Sequence, residues 1–254
     1  MTYSVVIPAR YQSTRLPGKP LLDIAGKSMI QRVYENAKRS NARDVIVATD
    51  DQRIVDAVLQ FGGEVMLTDS KHQSGTDRIQ EVAKRKLYAE NHIVVNLQGD
   101  EPLLDVATIE QVANNLQKNH SAGIATLCEC INETTGSHDD INNPNTVKVV
   151  RDKAEFALYF SRHAIPYARA TSENTKWYRH IGLYAYRVDV LNQFVSWPCS
   201  MLEIAESLEQ LRALENGVKI HCAIANLPVP PGVDTPDDLE KVRGYIQGRE
   251  VNHA

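Results

Sequence analysis

Two patterns of apolar residues alternate along the first half of this chain. Ser4-Val5-Val6-Ile7, Val45-Ile46-Val47-Ala48 and Ile93-Val94-Val95-Asn96-Leu97 are short apolar runs with little polar alternation. Such runs predict strands covered on both faces, as in a parallel sheet. Between them lie stretches with helical spacing. Met29, Ile30, Val33 and Ala37 share one stripe of a helix predicted over 29–40, and Ile54, Val55, Val58 and Leu59 share another over 52–61. Gly62-Gly63 stops the second helix. Further helices are predicted over 76–86 and 106–116. Strands joined by helices imply right-handed crossovers and a doubly wound α/β sheet.

The rhythm changes near residue 120. Residues 123–131, 147–150, 156–160 and 181–186 read as strands linked by loops, with polar surface excursions over 132–145 and 171–176. One strong helix is predicted over 202–214, stopped by Asn216-Gly217. Thr235-Pro236-Asp237-Asp238 begins another: Thr caps, Pro takes the first position, and Asp meets the positive end of the dipole. The polar tail from Gln247 is expected to fray. With no internal repeat and no linker, the reading is a single domain over 1–254 carrying a smaller appended lobe over roughly residues 130–200.

Composition narrows the function classes. Of 254 residues, 43% are hydrophobic and 24% charged, enough to bury a core without disulfides or metals. A net charge of −4 supplies no global field for nucleic acid or a membrane surface, so any anion site is local. The start of the chain is too quickly interrupted for a signal peptide, and no apolar run approaches ~18 residues. Cys128, Cys130, Cys199 and Cys222 match no zinc spacing. Cys128 and Cys130 face one side of a strand, in core or half-buried positions. A reducing cytoplasm fits these features.

The segment after the first strand concentrates the chemistry. Pro8-Ala9-Arg10-Tyr11-Gln12-Ser13-Thr14-Arg15-Leu16-Pro17-Gly18-Lys19-Pro20 holds three basic residues and no acid. In an open α/β sheet, ligands bind beyond the carboxyl ends of strands. Two guanidiniums and an ammonium there can neutralise a polyanion, and the prolines stiffen the path. G-x-G-x-x-G is absent, and Gly26-Lys27-Ser28 imitates a P-loop ending without its first glycine, so it reads as a turn. Two carboxylates are candidate ligands for a magnesium ion, should a phosphate ligand bind here: Asp100 in Gln98-Gly99-Asp100-Glu101-Pro102, at the end of a strand, and Asp234 in Gly232-Val233-Asp234-Thr235-Pro236, just before the final helix. Taken singly, Asp100 can be a turn residue and Asp234 a pre-cap acid.

The motif Pro8-Ala9-Arg10, Ser13, Arg15, Leu16-Pro17-Gly18-Lys19-Pro20 resembles the signature loop of sugar-activating nucleotidyltransferases. It is especially similar to that of the 3-deoxy-manno-octulosonate (Kdo) cytidylyltransferases, the CMP-Kdo synthetases. The resemblance runs from Val5 to Leu239. It includes the two aspartate motifs, Asn143-Pro144-Asn145-Thr146-Val147-Lys148-Val149-Val150, His180-Ile181-Gly182-Leu183-Tyr184-Ala185-Tyr186-Arg187, and the run from Leu202 to Arg212. It implies a nucleotide-diphospho-sugar transferase type of Rossmann-like, mostly parallel sheet. It also implies transfer of CMP from CTP to Kdo, giving CMP-Kdo and pyrophosphate for lipopolysaccharide biosynthesis.

By the same resemblance Ala9, Arg10, Ser13, Arg15, Lys19, Ser74, Gly75 and Arg78 contact nucleotide, with Arg15, Lys19 and Asp100 catalytic. Asp100 and Asp234 hold Mg2+. Gln98, Arg162, His180, Tyr184, Glu209 and Gln210 form the sugar pocket. From the residues alone, Ser74 and Thr76 can simply cap a helix, His180 and Tyr184 can be packing residues, and Glu209 and Gln210 can face solvent. Glu101 can merely shape its turn. A homodimer, formed through the lobe, is implied as well. Trp197-Pro198-Cys199-Ser200-Met201 departs from the family's P-S-P-L-E arrangement, and Pro230-Pro231-Gly232 from its glycine-rich approach to the second aspartate. These departures keep 8-amino-Kdo open as acceptor. The rivals are a sialic-type cytidylyltransferase, a UTP- or TTP-using pyrophosphorylase and a non-catalytic nucleotide-binding regulator.

Overall fold

Why the apolar runs carry no alternation is plain from the sheet they build. The computed structural model describes residues 2–12, 16–131, 141–169 and 175–251, with side chains to residue 248. In chain order, the first half comprises β1 (Tyr3–Ala9), β2 (Asp23–Ile24), β3 (Lys27–Ser28), α1 (Met29–Lys38), β4 (Asp44–Thr49), α2 (Gln52–Gln60), β5 (Val65–Leu67), α3 (Gly75–Arg85), β6 (Ile93–Asn96) and α4 (Val106–Lys118). The second half comprises β7 (Ile124–Cys130), β8 (Lys148–Arg151), β9 (Ala157–Ser161), β10 (Tyr178–Arg187), α5 (Val188–Phe194), α6 (Met201–Glu206), α7 (Gln210–Glu215), β11 (Ile220–Ile224) and α8 (Pro236–Val251).

The sheet runs β11-β7-β10-β6-β1-β4-β5, and β8 and β9 join it through β10. β1 is parallel to both β4 and β6, and β7 to β11, while β10 runs antiparallel between β6 and β7. The mostly parallel doubly wound sheet is therefore observed, with β10 and the peripheral β9 reversed. Val5, Ile7 and Val95 point into one apolar layer with α1 and α4; Val6, Ile46 and Val94 point into the other with α3 and α5. Each central strand meets a helix layer on both sides, which excludes polar alternation.

Some local expectations changed. The helix predicted over 202–214 is two helices, because Ser207 adopts a left-handed φ of 51° between α6 and α7. β5, α5 and β11 lacked a sequence signal: they are three, seven and five residues long, and His221 interrupts the apolar run of the last. The tail stays helical to Val251 rather than fraying at Gln247. Of the same-face cysteines, Cys128 is buried but Cys130, at the strand end, is exposed.

Gly26 sits in the β2–β3 hairpin, where Ala25 and Gly26 both take positive φ. It is the turn expected and not a phosphate loop. At α8, Asp238 Oδ2 accepts from Thr235 N at 2.9 Å and Thr235 Oγ1 from Asp238 N at 3.2 Å, a reciprocal cap that fixes the residue before it, Asp234.

Candidate active site

The carboxyl ends of β1 and β6 lie side by side because the strands pair in parallel from Tyr3–Ile93 to Val6–Asn96. Beyond them opens a cleft of about 400 Å³ lined by Pro8, Ala9, Arg10, Gln12, Lys19, Pro20, Gln98, Gly99, Asp100 and Asp234. Six of these, Ala9, Arg10, Lys19, Gln98, Asp100 and Asp234, are site residues expected from the sequence; Gln12 is not. Ser13 and Arg15 lie outside the described residues. Gly18, at φ 67°, closes the basic loop: its N–H donates to Tyr11 O at 3.1 Å, and a Cβ there would stand 3.2 Å from the Tyr11 ring. That turn delivers Lys19 to the cleft.

Lys19 Nζ donates to Asp100 Oδ2 at 2.5 Å and to Asp234 Oδ1 at 3.0 Å. Residues 81 and 215 positions away meet on one ammonium. One glycine and one backbone bond favour it. A Cβ on Gly99 would lie 3.2 Å from Pro8 O, a tight contact, so glycine lets the Asp100 loop lie against β1 without displacing it. Gly232 sits against the Asp100 backbone, and Val233 N donates to Asp100 O at 2.9 Å, pinning the two aspartate segments together. The Lys19 ammonium, a cation held by this same carboxylate pair, is the stand-in that tests the donor set. Two hard oxygen donors at the mouth of an open cleft suit Mg2+, which takes one or two carboxylates and completes its shell with phosphate and water. Among the described residues no group of three or more acidic, His or Cys side chains offers a closed metal cage.

Glu101, behind the pair, is different. Desolvation and the adjacent Asp100 charge push its carboxyl up to about 8, and its buried Oε2 has no partner. Arg179 partly offsets this. Arg179 is itself tied to Glu129 and, at 2.6 Å, to Val229 O on the approach to Asp234.

The 74–78 segment meets β1 at Gly75, where a Cβ would stand 3.3 Å from Pro8. Ser74 caps α3, with Asp77 completing the reciprocal box. Arg78 is fully buried and spends its guanidinium on Asp50 Oδ2 at 2.5 Å, Thr68 Oγ1 at 2.8 Å and Asp69 O at 3.3 Å. Its place is behind the cleft, tying α3 to the end of β4. Arg10 reaches this segment, donating to His72 O at 2.9 Å. Burial and the Arg78 charge hold the Arg10 guanidinium below its ordinary value.

On the other side of β6, β10 presents an aromatic row. His180 lies 4.9 Å from Phe160 and 5.3 Å from Tyr184, which in turn lies 5.8 Å from Tyr186. The alternation placed these on one face. It survives an irregularity in the pairing with β7, because the register shifts by two residues between Ile181 and Tyr184 and so preserves parity. Desolvation pushes His180 down to about 3, so it is a neutral imidazole, bonded to Thr126 Oγ1 at 3.0 Å. Burial raises the Tyr184 phenol well above its ordinary value.

Glu209 approaches this row at the start of α7. Its Oε2 accepts from Thr76 Oγ1 at 2.6 Å, while Oε1 is buried without a partner. Gln210 follows as the first residue of α7. Arg162 packs behind: its guanidinium donates to Glu206 O at 2.7 Å, Pro144 O at 3.0 Å and Ser207 O at 3.2 Å, clasping the α6–α7 break. Thr76, Thr126, Asp50 and Arg179 were not singled out as site residues from the sequence. Only Asp50, an acid just past a strand's carboxyl end, carried a usable signal.

Known proteins place this arrangement. A cytidylyltransferase family profile matches residues 4–220. The 3-deoxy-manno-octulosonate cytidylyltransferase of Photobacterium profundum is 55% identical over 252 residues, covering 97% of this chain and all of that protein. The protein of that name from Saccharophagus degradans is 54% identical over 257 residues, covering 97% and 99%. A solved CMP:2-keto-3-deoxy-manno-octonic acid synthetase complexed with CTP superposes with a TM-score of 0.90 at 46% identity, covering 98% of this chain and all of that one. A cytidylyltransferase from Leptospira borgpetersenii, 17% identical with a TM-score of 0.64, shares the fold. The cleft with its carboxylate pair, which His180, Tyr184, Glu209, Gln210 and Arg162 do not line, thus sits in a chain that belongs to the 3-deoxy-manno-octulosonate cytidylyltransferase family.

Proposed function

We propose that this protein transfers CMP from CTP to Kdo, releasing pyrophosphate and supplying activated sugar for lipopolysaccharide assembly. The observation that carries the reading is the cleft at the ends of β1 and β6, where Lys19 meets Asp100 and Asp234, in a chain more than half identical to enzymes of that name. The anomeric hydroxyl of the sugar attacks the α-phosphorus of CTP in line, and pyrophosphate leaves. Arg10 and Lys19, with Ser13 and Arg15 from the same loop, bind the triphosphate, and Lys19 and Arg15 neutralise charge on the leaving group. Ala9, Ser74 and Gly75 border the nucleotide by backbone. Asp100 and Asp234 would hold Mg2+, which supplies charge neutralisation on phosphate oxygens and acidifies a coordinated hydroxyl. Gln98, His180, Tyr184, Glu209 and Gln210 orient the sugar. A neutral His180 hydrogen-bonds without adding charge.

The reaction runs in the cytoplasm, where CTP is made; no described helix is long and apolar enough to cross a membrane. The proposal includes a homodimer. Leu158, Met201 and Ile204 are 61%, 70% and 68% exposed on β9 and α6, and α6 buries no residue of its own.

The test is pyrophosphate release with each nucleoside triphosphate against Kdo, 8-amino-Kdo and N-acetylneuraminate. CTP with Kdo should dominate. Preference for UTP or TTP, or for N-acetylneuraminate, or CTP binding without pyrophosphate, would overturn the reading.

A further inference from the structure

Thr76 holds a position that neither helix capping nor nucleotide contact accounts for. It is 1% exposed in the first turn of α3. The capping bonds of that turn belong to Ser74 and Asp77, so the Thr76 hydroxyl is not needed there. It donates instead across 133 residues to Glu209 Oε2 at 2.6 Å. The Tyr186 hydroxyl lies beside Thr76 and Asn96 and completes the polar surroundings of this bond.

Among the described residues, Thr76 is the hydrogen-bond partner of the Glu209 carboxylate. As the residue before α7, Glu209 makes no side-chain cap to its own helix. Its second oxygen, Oε1, is buried and unpartnered. A buried carboxylate oxygen without a donor is costly, so Oε1 calls for a donor from outside the protein, which a ligand hydroxyl or a water can supply. The backbone that carries Glu209 is clasped by Arg162 through Glu206 O and Ser207 O. The side-chain torsions of Glu209 are then restrained by the Thr76 bond to Oε2.

We propose that Thr76 is a positioning residue for the acceptor: it turns Glu209 so that Oε1 faces the sugar hydroxyls. The inference rests on the function proposed above. Because Gly75, the neighbour of Thr76, packs on Pro8 beside the nucleotide loop, the same contact registers the acceptor side of the cleft against the triphosphate side.

The experiment compares Thr76→Val, which keeps the branched shape but lacks the hydroxyl, with Thr76→Ser, which keeps the hydroxyl. KM for CTP and for the acceptor accepted in the substrate panel, kcat and melting temperature are measured for both, and for Glu209→Ala alone and combined with Thr76→Val. Thr76→Val should raise the acceptor KM about tenfold, with the CTP KM changed less than about twofold. Thr76→Ser should recover most of the loss. The double variant should match Glu209→Ala alone, since Thr76 acts through that carboxylate. Where valine prevents folding, Thr76→Ala replaces it. An unchanged acceptor KM, equal rises in both KM values, failure of serine to rescue, or additive losses in the double variant would each overturn the inference. A wild type that accepts no sugar overturns the functional reading and this inference together; an active wild type indifferent to Thr76→Val overturns the inference alone.

Discussion

Replacing Lys19 with methionine tests the carboxylate pair directly. The stem length is kept and only the charge between Asp100 and Asp234 is lost. Lys19 is 13% exposed at its side chain, Asp100 30% and Asp234 52%. At about 3 Å, an ammonium–carboxylate attraction ranges from roughly 1.4 kcal/mol in water to about 5.5 kcal/mol at an effective dielectric of about 20. Half-exposed Asp234 sits toward the weak end. After desolvation is offset, a net attraction of about 1–3 kcal/mol remains. A divalent cation entering without nucleotide must displace that ammonium, so its affinity is lowered about ten- to hundredfold.

The assay is thermal unfolding against MgCl2 without nucleotide, paired with a Mn2+ titration followed by electron paramagnetic resonance. Wild-type melting should stay flat until CTP is added, because the triphosphate draws Lys19 away. The variant should gain about 1.4–2.7 kcal/mol at about 10 to 100 times its dissociation constant, roughly 3–10 °C for a chain of this size. The same cation dependence in both proteins would refute the claim that Lys19 occupies the cation seat.

Arg78→Met should cost about 2–4 kcal/mol in chemical denaturation, because it strands Asp50 and Thr68 in a buried network; a loss under about 1 kcal/mol would place Arg78 outside the structural core. Gly99→Ala should cut kcat at least about tenfold while costing only about 1–3 kcal/mol of stability, since the new Cβ pushes the Asp100 loop off Pro8 O, 3.2 Å away; unchanged kcat counts against it. His180 stays neutral when folded, down to about 3, whereas an unfolded histidine binds a proton below about 6.5. Between those values the unfolded state binds more protons. Stability is therefore full above about 6.5 and falls by at most about 1.4 kcal/mol per pH unit on acidification. His180→Gln should flatten that slope in melts between about pH 6.5 and 4; an identical slope would contradict the assignment.

Apolar runs alone placed β1, β4 and β6, since a strand covered on both faces must be apolar throughout. Helical stripes placed α1 and α2 for the same local reason, and α3 and α4 read as further helices. Turn chemistry placed the α8 cap, charge and position picked out the basic loop and both aspartates, and motif resemblance gave them roles. The sequence by itself could not say that Lys19, Asp100 and Asp234 converge. That rests on Gly99 letting the Asp100 loop close on Pro8 and on the Val233 N–H bond to Asp100 O. Nor could it tell that Arg78 lies behind the cleft, bonded to Asp50, or that Ser207 breaks the helix before Glu209. These outcomes are set by contacts between residues tens to hundreds of positions apart, which leave no periodic trace. Thr76 is the clearest case: locally a helix-start threonine, it gains its role only when folding brings Glu209 within 2.6 Å.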